Sequence, residues 1–275
     1  MEKLTLPNIR KLFIPDPGYT MYDGDLKGAD AQVVAWEVGD EDLKEAFRQK
    51  LKIHIKNGTD LWGKEVMYSK DPKGKTEPYY TRVKRGVHLT NYGGTTATLA
   101  KKCDLTIPEA DKFQADWFSL HPKIKEWHEK TTFDLQTKGR TENKFGYSID
   151  WFDRYSNRLR NQALAWTPQS TTAHVVEEAM ILINQAFESE AAMIKLKRHF
   201  NFLLQVHDSL VFQIKYAYVQ PIMMRINELL NSIIVPYDDP LIIPWGIKRG
   251  RKSWGECAET SWEEVCGIKT GETVH

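Results

Sequence analysis

Strand-forming runs lie toward the two ends of this chain, and the stretch between them reads mostly as helix. Near the N-terminus "YTMYDGDL" is a short strand that leads into a Gly-rich turn. Toward the C-terminus "LLQVHDSLVFQI", Leu203 to Ile214, sets two runs of Val, Leu, Phe and Ile around His207, Asp208 and Ser209. That is the signature of a strand, a tight turn and a second strand. "PWGIKRGRKSWGE" reads as a last strand. A sheet whose strands come from both ends of the sequence has to accept the helical middle as an insertion. The fold class is therefore α+β, with an antiparallel sheet carrying an inserted helical subdomain.

The middle supplies the helices. "AQVVAWEVGDEDLKEAFRQKLKIHI" is helical with an interruption near Gly39, and "TRVKRGVHLTNYGG" is a helix stopped by Gly93-Gly94. Between them, residues 57–80 carry Gly, Pro and charge and read as a long loop. Two helices parted near Pro122 follow, then a short hairpin in "TENKFGYSIDWF". A long amphipathic helix runs from Gln169 to Leu196. The 41% of hydrophobic residues among 275 suffice for a real core, and no window approaches 18 uncharged apolar residues, so no membrane span is expected. "MEKLTLPNIRKLF" lacks the apolar core of a signal peptide, and Cys103, Cys257 and Cys266 form no CxxC pair. These features fit the reducing cytoplasm and argue against zinc or a disulfide framework. With 38 basic against 37 acidic residues, net charge neither demands nor excludes a nucleic-acid partner.

Three segments carry side chains that are costly to hold unless they do something. Asp25 follows a strand and precedes a helix, which places its carboxylate at the strand's carboxyl edge; taken alone, such a residue is more commonly a cap. Lys84, His88 and Tyr92 recur every four residues, so ammonium, imidazole and phenol share one helix face. That face suits a triphosphate and a base or sugar, the bland alternative being a solvated basic helix. The third segment is His207-Asp208-Ser209, otherwise an ordinary turn in which Asp bonds local amides. If Asp25 and Asp208 converge, two carboxylates can hold two Mg²⁺ ions about 3.5–4 Å apart, the arrangement that in-line phosphoryl transfer uses.

With those residues in hand the chain resembles the family A DNA polymerases in their bacteriophage-like form. "DLKGADAQVVAWEVGDEDLKEAF" looks like their motif A, "KRGVHLTNYGG" like motif B and "QVHDSLVF" like motif C. "IHIKNG", "HPKIKEWHEKT", "KFG", "PQSTTAH" and "PWGIKRGRKSWGE" match further family segments in the same order, from about residue 8 to 257. The resemblance implies a right-hand polymerase core with palm at 1–40 and 160–257, fingers at 41–159 and a C-terminal tail at 258–275. It implies template-directed addition of dNTPs to a primer–template by two Mg²⁺ ions. Asp25 and Asp208 would be the catalytic metal ligands, with Leu26 offering its carbonyl. Lys84, His54 and Arg85 would face the triphosphate, and His88 the sugar. Tyr92 would close over the nascent base pair beside Asp30, the gate against a ribose 2′-OH. Gln169 and His207 would touch DNA.

The departures from the family pattern carry their own expectations. Ser209 stands where motif C has Glu, and Asp23 is the candidate to restore that charge. Tyr80 stands where motif B has an Arg, leaving Arg82 or Arg85 to take over phosphate contact. Asp30 is one methylene shorter than the family's Glu. About 24 residues precede Asp25, so a thumb and a 3′–5′ exonuclease are expected on a separate chain, and the enzyme is expected to be viral and to work in the host cytoplasm. A single-subunit RNA polymerase and a catalytically silent DNA-binding subunit are the competing readings. The former shares a His-Asp-Ser motif C, and the latter is countered by the intact aspartates. "KRGRKSW" reads either as a phosphate contact or as an exposed basic strand end. His121, His128 and His174 read as surface or packed residues.

Overall fold

β1 (Tyr19–Leu26) lies at the centre of a five-stranded sheet in the computed structural model, which describes residues 7–64, 67 and 78–268. The order is β4-β5-β1-β6-β7, with β4 Phe200–Val206, β5 Ser209–Lys215, β6 Trp245–Gly250 and β7 Ala258–Thr260. Every neighbouring pair is antiparallel, as the α+β reading requires. Residues 258–268, set apart in the sequence reading as a tail, contribute β7 and a short helix, Trp262–Cys266.

Strand alternation gives this sheet two chemically different faces. Tyr22 is stacked on Phe212, which leans on Phe200, which in turn stacks on Phe187 of a long helix. That face is aromatic and aliphatic, and it buries Leu210 and Ile214 as well. The opposite face carries Met21, Asp23 and Asp25 in succession, paired across with Gln213, Val211 and Ser209. Met21 and Val211 form a small cluster there with Trp254, supported by Leu204, Val206 and Cys257. One face thus builds a core while the other holds carboxylates on an apolar floor.

The chain divides into two units. The sheet unit comprises residues 7–29, Thr172–Val235 and 240–268, and the helical unit comprises Asp30–Thr171 and Pro236–Asp239. In the helical unit α1 (Ala29–Val38) stops at Gly39, whose φ of +67° suits glycine, so the break read from the sequence is real. α2 (Glu41–Arg48) is capped by Asp40, whose carboxylate accepts from the Leu43 amide, an interaction worth about 1 kcal/mol. α3 (Ile53–Trp62) corrects the expected loop: residues 57–62 are helical, while 68–77 lie outside the described residues. The turn-rich composition misled there because Gly58 is tolerated in a helix that packs closely; a Cβ on it would meet the Met67 side chain.

α4 (Tyr79–Asn91) ends before Gly93, whose φ is +72°, as its sequence demanded. α5 (Thr96–Cys103) and α6 (Ile107–Leu120) start on threonine caps, the second a full capping box with Glu109. α6 and α7 (Pro122–Thr137) part at His121, followed by the hairpin of β2 (Arg140–Glu142) and β3 (Ser148–Asp150). α8 (Asn157–Ser189) starts twelve residues before the expected helix, runs straight through Pro168 and stops before Leu196. Burial of Ala163, Leu164 and Thr167 ahead of the proline outweighs its missing amide donor. α9 (Val219–Asn231), which the sequence reading did not foresee, buries Ile222, Met223 and Ile226.

Candidate active site

Asp25 and Asp208 come together through the sheet. Asp25 is paired with Ser209 in the β1–β5 register, and the next amide along, Leu26 N–H, donates to the Asp208 carbonyl at 3.0 Å. The backbones of the two aspartates are thus one residue step apart, Asp208 lying in the turn just ahead of β5, 183 positions on in sequence. His207 opens the connecting turn with φ +53°, a left-handed conformation that non-glycine residues seldom adopt. Gln205 Nε2 donates to the His207 carbonyl at 3.0 Å, and Ser209 Oγ donates to the Val206 carbonyl at 3.0 Å. The hydroxyl that replaces the family's glutamate therefore closes its own turn.

Around Asp25 the sheet supplies both room and charge. Gly246 is directly opposite, and a Cβ there would lie 3.1 Å from Asp25 Oδ1. The same Cβ would lie 3.0 Å from Lys27 Cε, so glycine lets both side chains pass there. Lys248 Nζ lies 3.3 Å from Asp25 Oδ2 and 3.8 Å from Glu259 Oε1. Burial alone would lower the Lys248 pKa, but the charges of Asp25 and Asp23 outweigh it and hold the ammonium above its usual range. Asp23 is buried, and its Oδ2 accepts from Trp254 Nε1 at 2.8 Å while Oδ1 has no protein partner among the described residues. Among the described residues one trio of metal-type ligands has its donor atoms within 4.8 Å of one another: Asp40, Asp42 and His121. Asp23, Asp25 and Asp208 do not form such a trio, so Asp23 adds charge near Asp25 without joining a three-oxygen cluster of that size.

The helical unit gathers the predicted nucleotide-facing residues. His88, four residues after Lys84 on α4, touches Tyr92 at the helix's C-cap with ring centroids 4.3 Å apart. Tyr92 Oη donates to Asp30 Oδ2 at 2.9 Å. Burial, then the Asp30 charge, pushes the Tyr92 phenol far above its usual range, so it stays a hydrogen-bond donor. The His54 ring meets Tyr80 edge-on. Burial, followed by the Lys84 ammonium, lowers the His54 pKa to about 4. Burial and Lys84 also lower His88, against the opposing pull of Asp30. Around Lys84 a further positive charge on either imidazole is thus disfavoured.

The arginines go elsewhere. Arg82 is buried and donates to the Cys103 and Asp104 carbonyls at 2.7 and 3.2 Å, binding off the end of α5. Arg85 Nη1 donates to the Lys102 carbonyl at 2.5 Å. Gln169 is exposed on α8, and His207 is exposed on its turn. His121 and His128 are both packed: His121 Nδ1 bonds Asp40 Oδ2 at 2.9 Å and His128 Nε2 bonds the Asn91 carbonyl at 2.7 Å. Lys248 and Trp254 escaped sequence reasoning as site residues. The basic run around 248–252 was visible, but which of its members faces Asp25 depends on strand register.

The sequence model of the family described as "DNA polymerase family A" matches residues 2–256. "DNA polymerase I, thermostable" of Thermus filiformis is 27% identical over 248 residues, covering 88% of this chain and 28% of that protein. Its namesake from Thermus aquaticus is 24% identical over 249 residues, with the same coverage. A solved structure described as the POL domain of Pol1 from M. smegmatis, in complex with DNA primer-template and dNTP, superposes with a TM-score of 0.74 at 22% identity. It covers 90% of this chain and 42% of the other, and it establishes likeness of fold. The chain spans little more than a quarter of the length of these curated relatives.

Proposed function

The chain belongs to DNA polymerase family A, and from that premise we propose that it adds dNTPs to the 3′ end of a primer on a DNA template, using divalent ions held by Asp25 and Asp208. The observation that supports this reading is the Leu26–Asp208 backbone bond, which brings the backbones of the two aspartates within one residue step of each other. The donor set suits Mg²⁺: carboxylate oxygens and a Leu26 carbonyl within the same strand, with glycine at 246 crowding neither. Ions bound there would lower the pKa of the primer hydroxyl and neutralise the leaving pyrophosphate.

The remaining roles belong to the chain's own side chains. Lys84 offers its ammonium to the triphosphate, and His54, neutral at physiological pH, can accept or donate one hydrogen bond beside it. Tyr92 and His88 present rings to the base and sugar, and Asp30, fixed by Tyr92, stands as the sugar gate. Arg82 is better read as a support of α5 than as a phosphate ligand, since backbone carbonyls take its guanidinium, while Arg85, whose Nη1 donates to the Lys102 carbonyl, remains a candidate phosphate contact. Gln169 and His207 would contact the primer–template. The assignments of palm to 1–40 and 160–257 and of fingers to 41–159 rest on the motif order. The motif spelling favours a bacteriophage-type replicative enzyme, which would act in the host cytoplasm.

Primer extension tests the proposal. On one primed template with Mg²⁺, the chain should incorporate dNTPs in preference to rNTPs, and Asp208→Asn should lower the rate by at least about 10²-fold. A thumb-bearing segment, whether in a longer form of this chain or on a separate one, should raise processivity and reduce salt sensitivity. No extension even with that segment supplied would favour a silent DNA-binding subunit. Efficient use of rNTPs alone would favour an RNA polymerase.

A further inference from the structure

Lys248 is directly opposite Asp23 in the β1–β6 register, and its ammonium reaches along the same face to within 3.3 Å of Asp25 Oδ2. The side chain is about three-quarters buried and has a second carboxylate in reach, Glu259 on β7 at 3.8 Å. The ammonium therefore has two resting places, one on a proposed metal ligand and one beside it. We propose that Lys248 is an internal competitor for the divalent cation at Asp25. With no ion bound, it holds and neutralises the Asp25 carboxylate; when an ion arrives, it yields that carboxylate and turns to Glu259. This deepens the proposed function and rests on the metal reading of Asp25 and Asp208.

The charges explain why such a residue matters in this chain. Ser209 has removed one carboxylate from motif C and ties its hydroxyl to Val206. Asp23, the nearest replacement, is anchored to Trp254 and buried. Asp23, Asp25 and Asp208 less the Lys248 ammonium then present a formal charge of −2 rather than −3 to an incoming dication, with Asp23 held back from direct contact. An isolated ion is held weakly, and firm binding waits for the oxygens that a triphosphate brings with it. Lys248 thus couples metal occupancy to nucleotide arrival, as a positioning residue that never touches the reacting atoms.

Direct binding of Mn²⁺ to the full chain, without DNA or nucleotide, tests this by electron paramagnetic resonance or calorimetry at fixed ionic strength. A unit charge a few ångströms from a dication in water shifts its binding by about tenfold. Lys248→Met, with Lys248→Gln as a second neutral variant, should therefore bind Mn²⁺ about tenfold tighter than wild type. Lys248→Arg should stay near wild type, and Asp25→Asn should abolish the site. If the neutral variants bind no tighter while Asp25→Asn still loses the ion, the competitor role is overturned and the metal reading stands. If neither wild type nor the neutral variants bind Mn²⁺ in an Asp25-dependent way, both fall together.

Discussion

Tyr92 Oη and Asp30 Oδ2, 62 positions apart, are joined by a 2.9 Å hydrogen bond that ties the end of α4 to the start of α1. Tyr92 is half-buried in a cluster with Val34, Val38, Trp127 and Leu164, so its ring is fixed by packing and its hydroxyl by Asp30. If Asp30 is the sugar gate, this bond sets the position of the gate. Asp30→Ala should raise rNTP use relative to dNTP by about 10²-fold, since a pocket without the carboxylate cannot reject one added hydroxyl strongly. Tyr92→Phe should move the ratio in the same direction but less, at a cost of about 1 kcal/mol in urea unfolding. Unchanged sugar preference in Asp30→Ala would remove the gate assignment.

His54 provides a pH signature. Its folded pKa is depressed from 6.5 to about 4 by burial and then by Lys84 and His88. Because the folded value lies below the unfolded one, neutral His54 contributes stability that is present above pH 6.5 and is lost as pH falls toward 4. Urea midpoints between pH 7 and pH 4.5 should fall, and His54→Gln should flatten part of that slope. In an NMR titration, Lys84→Met should raise the His54 midpoint, since a like charge has been removed. A wild-type midpoint near 6.5 would contradict the geometry.

Trp254 and Asp23 meet at 2.8 Å across 231 residues of chain. Trp254→Phe would leave a buried carboxylate without its indole donor, and the expected loss is about 3 kcal/mol. Asp23→Asn should be milder, and the double variant should fall short of the sum of the two by more than about 1 kcal/mol. The same Asp23→Asn protein tests whether Asp23 compensates for Ser209. Unaltered rate and metal dependence would show that it does not.

Much of the site was legible because its parts are local. A strand ending at Asp25, a helix face repeating at Lys84, His88 and Tyr92, and a polar crest at His207-Asp208-Ser209 each follow from the spacing of near neighbours. Helix ends at Gly39 and Gly93 follow from the positive φ that glycine tolerates. The direction of each basic side chain was not legible. Arg82, Lys84 and Arg85 sit within four positions, yet α4 sends the first and last to the carbonyls ending α5. The helix through Pro168 was missed for a related reason: burial on both sides of the proline overrides its local preference.

The amino-acid order by itself determined the main sheet strands, the helix ends at Gly39 and Gly93, and which residues could bear metal and phosphate chemistry; it did not show the helix at 57–62, the early start of α8 or α9. Periodicity and turn chemistry are settled among residues a few positions apart. Strand register decided that Asp25 faces Ser209 and Gly246, that Asp23 faces Lys248, and that Asp208 lies one step from Leu26. Register is fixed by burying one face of the sheet, since a slip of one residue would turn Tyr22 and Phe212 to the carboxylate side and Asp23 into the aromatic core. That choice is a property of the packed sheet, and no local stretch of the chain contains it.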